Sequence, residues 1–88
     1  MNERETPIEF PCAFPIKAMG LAEHDIPSLA LEIVRRHAPE VTEADLTRRL
    51  SEKGKYCSVT IVIQAQGLIQ LDRIYQDLTD EPQILVAL

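Results

Sequence analysis

Lys53-Gly54-Lys55-Tyr56-Cys57-Ser58-Val59-Thr60-Ile61-Val62-Ile63-Gln64-Ala65 is a turn followed by the longest β-prone run in the chain. Alternation sends Cys57, Val59, Ile61, Ile63 and Ala65 to one face and Tyr56, Ser58, Thr60, Val62 and Gln64 to the other. The first face is apolar throughout and reads as core. The second is only half apolar. A strand of this kind, entered through Gly54, asks for an antiparallel partner across the turn.

Immediately upstream, Val41 to Glu52 supports two readings. Thr42-Glu43-Ala44-Asp45 looks like a helix start, with Leu46 and Leu50 one turn apart. The alternative is a strand over Leu46 to Ser51, with Leu46, Arg48 and Leu50 on one face; the need of the long strand for a neighbour selects it. Downstream of Gln66-Gly67 the period changes, and Leu68, Leu71, Ile74, Tyr75 and Leu78 recur at helical spacing. Thr79-Asp80-Glu81-Pro82 breaks that helix, and Gln83 to Leu88 reads as a terminal strand apolar on both faces. At the other end, Phe14, Ile16 and Ala18 share one face of a first strand that starts at Phe10 and stops at Gly20. Its ladder is expected to be regular only after Pro15, because proline lacks a backbone donor. A first helix follows to about Ala38, with Pro27 at its start, Asp25 or Ser28 capping it, and Pro39 as its stop. Arg35, Arg36 and His37 then fall in its last turn, where the helix dipole favours cations.

The order strand, helix, strand, strand, helix, strand predicts an α+β ferredoxin-like βαββαβ sandwich. Right-handed crossovers give a four-stranded antiparallel sheet of order 4-1-3-2 with both helices on one face. Residues 1–9, charged and poor in apolar side chains, are expected to form a flexible tail, and 10–88 a single domain. Cys12 and Cys57 start neighbouring antiparallel strands at opposite ends, too far apart for a disulfide. The uncovered face should carry Lys17, Met19, Ser58, Thr60, Val62 and Gln64.

Eighty-eight residues, 45% of them hydrophobic, suffice for one core without staples. No apolar run reaches the ~20 residues of a membrane span, and no secretion signal is evident. The cytoplasm is the expected location, and no membrane partner is expected. A net charge of −5 argues against a nucleic-acid partner. The charge is uneven: Arg48, Arg49, Lys53 and Lys55 face only Glu52 between Leu46 and Lys55, a local +3 that leaves −8 elsewhere. No catalytic motif and no paired Cys or His at metal-ligand spacing is present, so no metal and no cofactor are expected.

Glu9-Phe10-Pro11 with Phe14, Lys17, Met19 and Gly20; Arg36-His37-Ala38-Pro39; Ser51, Lys53-Gly54, Tyr56 and Ser58-Val59; and Tyr75 with Leu78 together carry a resemblance. In their order and spacing the chain resembles the YbeD-like family of small bacterial proteins of unknown function over nearly its full length. The resemblance implies a ferredoxin-like fold similar to the amino-acid-binding ACT regulatory domains. It implies no enzymatic activity and no catalytic residues, and it hints at a protein partner in lipoate-related metabolism.

The candidate ligand- or partner-binding residues are Lys17, Arg36, His37, Arg48, Lys53, Lys55 and Ser58. Lys17 and Ser58 fall on adjoining strands and would share a polar patch on the open face. Lys53 and Lys55 would gather with Arg36 and His37 into an anion site. The expected function is a non-enzymatic regulatory or interaction module binding a small anionic metabolite or a protein partner, with a homodimer through the open face or last edge strand in view. An acyl-phosphate hydrolase would need a phosphate cradle in Gly20-Leu21-Ala22-Glu23-His24, where Glu23 repels the substrate. An RNA-binding module would need several exposed aromatics on the sheet, where Ser58, Thr60 and Gln64 stand instead.

Overall fold

The computed structural model describes residues 8–88. Most of the expected tail, residues 1–7, lies outside the described residues; Ile8 and Glu9 are exposed and irregular. Seven elements follow: β1 (Cys12–Leu21), α1 (Ile26–Arg35), a single 3-10 turn (Glu43–Asp45), β2 (Leu46–Leu50), β3 (Tyr56–Ala65), α2 (Leu68–Asp80) and β4 (Val86–Ala87). The four strands form one antiparallel sheet in the order β2-β3-β1-β4. This is the predicted ferredoxin-like topology.

The core lies between the sheet and the helices. Cys57, Val59, Ile61, Ile63 and Ala65 from β3 and Ile16 and Ala18 from β1 are all buried, and they meet Ile26, Ala30, Ile33 and Val34 of α1 and Leu71, Ile74 and Leu78 of α2. No polar side chain is buried among the described residues. Gly54, at the β2–β3 hairpin, has φ +75°, a conformation that side chains with a Cβ resist. Asp25 caps α1 by accepting from the Ser28 N–H.

Several boundaries differ from expectation. The β1–β3 ladder is regular from Cys12↔Ala65 onward and runs through Pro15↔Val62 to Leu21↔Tyr56. Lys17 exchanges both backbone bonds with Leu88 on the β4 side (N to O 3.0 Å, O to N 2.7 Å), so Pro15, two residues earlier, also turns its nitrogen away from β3. Its missing donor therefore costs β3 nothing. Pro39 shortens α1 by disfavouring helical geometry at Ala38. The chain tightens after Arg35 through Arg36 N to Ile33 O (3.2 Å) and His37 N to Val34 O (3.1 Å).

Both readings of the 42–51 stretch are partly right. The Thr42 hydroxyl accepts from Ala44 N and the Thr42 N–H donates to the Asp45 carboxylate in return, a complete capping box, yet the turn ends at once and β2 begins at Leu46. The terminal strand is reduced to Val86–Ala87, because Gln83 and Ile84 are taken into a turn closed by Ile84 N to Glu81 O. Leu68, expected on the buried face of α2, is 60% exposed at the helix start, beyond the sheet's cover.

Candidate functional site

Among the described residues no strand contains an Asp or Glu, whereas β1 and β2 carry Lys17, Arg48 and Arg49. The sheet of an acidic protein is thus purely cationic. Directly opposed residues of an antiparallel pair share a face, so the register assigns each cation. Arg48 pairs with buried Val59 and belongs to the helix-bearing side; Arg49 pairs with Ser58, and Lys17 with Thr60, on the open side.

Two rows of side chains cross the open face. One runs Thr47, Thr60, Lys17 and on to Leu88; the next runs Arg49, Ser58, Met19 and Val86. Toward β2 the surface is hydroxyls and cations, forming a shallow cleft of about 380 Å³ that Arg48 borders from the edge strand. Toward β4 it is an apolar groove of about 210 Å³ walled by Met19, Val86 and Leu88. Lys17 and Ser58 line both. The Ser58 hydroxyl donates weakly to the Arg49 carbonyl oxygen at 3.4 Å, leaving its own oxygen free to accept. Tyr75 fixes the far wall by donating its hydroxyl to the Leu88 carbonyl oxygen (2.6 Å), and partial burial raises its pKa above the ordinary value.

The predicted shared patch of Lys17 and Ser58 is present. The predicted gathering of Lys53 and Lys55 with Arg36 and His37 is not. Ala22 N donates to Lys55 O, which places the hairpin at the Leu21 end of the sheet, whereas Gln70 at the start of α2 donates to His37 O at the opposite end. The length of β3, about 30 Å at ~3.3 Å per residue, separates them.

Arg36 and His37 have other work. His37 Nε2 lies 2.7 Å from Asp77 Oδ2, and Arg36 Nη1 3.7 Å from the same atom, clipping the end of α1 to α2. The hydrogen bond with His37, chiefly, holds the Asp77 carboxyl below its ordinary pKa. Lys55 places Nζ 5.4 Å over the Tyr56 ring, and Arg48 faces a cleft of about 420 Å³ whose rim includes Asp25 and Glu43, which would repel an anion.

Arg49 is the residue that sequence reasoning passed over. The signal was available: Leu46, Arg48 and Leu50 share one face, so pairing Leu50 with core Cys57 turns Arg49 outward.

A family model described as "Protein of unknown function (DUF493)" matches residues 5–88. The chain belongs to that family. A UPF0250 protein of Chromobacterium violaceum is 37% identical over 87 residues, covering 99% of this chain and 98% of its own. Another from Nitrosomonas europaea is 42% identical over 84 residues (96% and 97% covered), and one from Neisseria gonorrhoeae is 40% identical over 91 residues, covering both chains fully. These relatives uphold the YbeD-like resemblance, and their names assign no activity. The solution structure of protein HP0495 from H. pylori superposes with a TM-score of 0.79 over 99% of this chain and 91% of that one. At 14% identity, that likeness speaks for the fold alone.

Proposed function

We propose that this DUF493 protein is a non-catalytic interaction module that receives a protein partner on its open sheet face. One observation carries the reading: the open face of a protein of net charge −5 holds the cations Lys17 and Arg49 and, among the described strands, no carboxylate, with an apolar groove beside Lys17. A face that is half apolar and charged with one sign only fits a complementary surface better than it fits water. Both hollows on it are shallow, whereas small-molecule sites enclose most of their ligand's surface. The resemblance to ACT-type domains supports a regulatory consequence of such binding, and a partner from lipoate-related metabolism is consistent with it.

A small anionic metabolite is the second reading, favoured by the convergence of Lys17 and Arg49 with the Thr47, Ser58 and Thr60 hydroxyls. Neither hydrolase nor RNA chemistry gains support. Glu23, 3.7 Å from His24, sits in the loop that would cradle phosphate, and Tyr56, with Lys55 over its ring, is the one aromatic that the four strands direct to the open face.

Site-specific photo-crosslinking tests the proposal. A photoreactive residue at Thr60 is expected to capture a defined protein in the native cell, at least tenfold less when Lys17→Glu is added, while the same probe at Glu32 on the outer side of α1 captures none. Equal capture at both positions, or none at Thr60, overturns it.

A further inference from the structure

Resting on that reading, we infer that the occupant of the open face is an acidic amphipathic helix of a different protein, with carboxylates two turns apart beside an aliphatic stripe. The backbone groups of this face are engaged in ladders, so what it offers an incoming segment is side chains, the kind of surface on which a helix packs. Lys17 and Arg49 lie two strands and one row apart, which at ~4.8 Å per strand and ~6.7 Å per row puts their Cα atoms ~12 Å apart. A helix rising ~1.5 Å per residue covers that span in seven or eight residues. Carboxylates at i and i+7 therefore reach both cations from one helix face.

Met19 and Val86 lie to one side of the line joining the cations. With i on Arg49 and i+7 on Lys17, aliphatic side chains at i+4 and i+8 share one flank of the same helix, fall against them and fill the groove that ends at Leu88. The hydroxyls of Ser58 and Thr60, between the two cations, accept or donate as the carboxylates require. A second copy of this chain, face to face, would instead oppose Lys17 and Arg49 to themselves, and like charges disfavour that assembly.

The test is a titration of isotopically labelled protein, followed by amide chemical shifts, with two synthetic peptides of about five helical turns. One carries Glu at i and i+7 with Leu at i+4 and i+8; the other carries Lys in place of Glu. The acidic peptide is expected to move the signals of Lys17, Met19, Ser58 and Val86, with binding at least tenfold weaker in Lys17→Glu or Arg49→Glu and weakening as salt rises. The Lys→Glu exchange on the protein should transfer preference to the basic peptide. Shifts centred elsewhere, equal response to both peptides, equal response to inorganic phosphate alone, or concentration-dependent broadening of the open face without peptide each overturn the inference. Thr60 crosslinking that succeeds while this titration fails removes the helix and leaves the interaction module standing.

Discussion

Replacing Gly20 with alanine would place a methyl carbon 2.5 Å from Ile26 Cδ1 and nearer still to the Gln83 carbonyl oxygen. Neither neighbour yields easily. Ile26 is fully buried, and Gln83 is backbone held between the Ile84 N to Glu81 O bond (3.0 Å) and the Leu85 N to Met19 O bond (2.8 Å). Overpacking of this kind costs about 1–3 kcal/mol. Against it, alanine restricts the unfolded chain and returns about 0.4–1 kcal/mol, and Gly20 does not have positive φ, so its own backbone accepts the substitution. The net expectation is a loss of about 0.5–2 kcal/mol, or several degrees in Tm at ~4–8 °C per kcal/mol for a domain of this size. Urea denaturation followed by circular dichroism measures the loss, and hydrogen exchange at the Leu85 amide locates it. That amide should exchange faster than the rest of the ladder, because the chain leading into β4 is what must move. Gly67→Ser is the control, since nothing lies within 4 Å of an added Cβ there and a hydroxyl can cap α2; it should be neutral or a few tenths of a kcal/mol favourable. A Gly20→Ala protein as stable as wild type would refute the close packing of β1 against the Gln83 carbonyl.

Two further outcomes follow from the geometry. Because Asp77 titrates below its ordinary value of 3.8, its pairing with His37 and Arg36 contributes stability that is present above that value and lost as pH falls through the lower, folded-state pKa. Asp77→Asn should therefore flatten the acid limb of the stability-versus-pH curve, and an unchanged limb would show that the clip between α1 and α2 contributes nothing. Thiol titration under denaturing, non-reducing conditions should count two free cysteines: Cys12 pairs with Ala65 and Cys57 with Gly20, eight strand steps or about 26 Å apart along β1. A count below two contradicts this register.

Local signals carried much of the fold. The alternation in β3 reports a one-sided core, the three-and-four spacing of Leu71, Ile74 and Leu78 reports α2, and Gly54 announces its turn. These signals are short-range, so they survive any error in how elements pair. Pro15 misled because a missing N–H matters only on the side to which it would have pointed, and that depends on which neighbour lies there. The Thr42 capping box offered a helix that the chain does not continue, since a complete cap starts a turn without obliging a helix to follow.

The candidate site was half legible for the same reason. Lys17 and Ser58 could be placed together because strand order follows from the element order, and facing follows from alternation. Arg36 and His37 could not be placed, because their partner Asp77 is forty residues away and reaches them only when α1 and α2 pack side by side. The sequence by itself determined the elements, their order and the face on which each strand residue lies, all properties of neighbours within a few residues. Tertiary structure alone decided which cations meet. Register set Arg49 one row from Lys17, and the length of β3 kept Lys53 and Lys55 from Arg36 and His37, because distances across a sheet are set by pairing between strands and not by spacing along the chain.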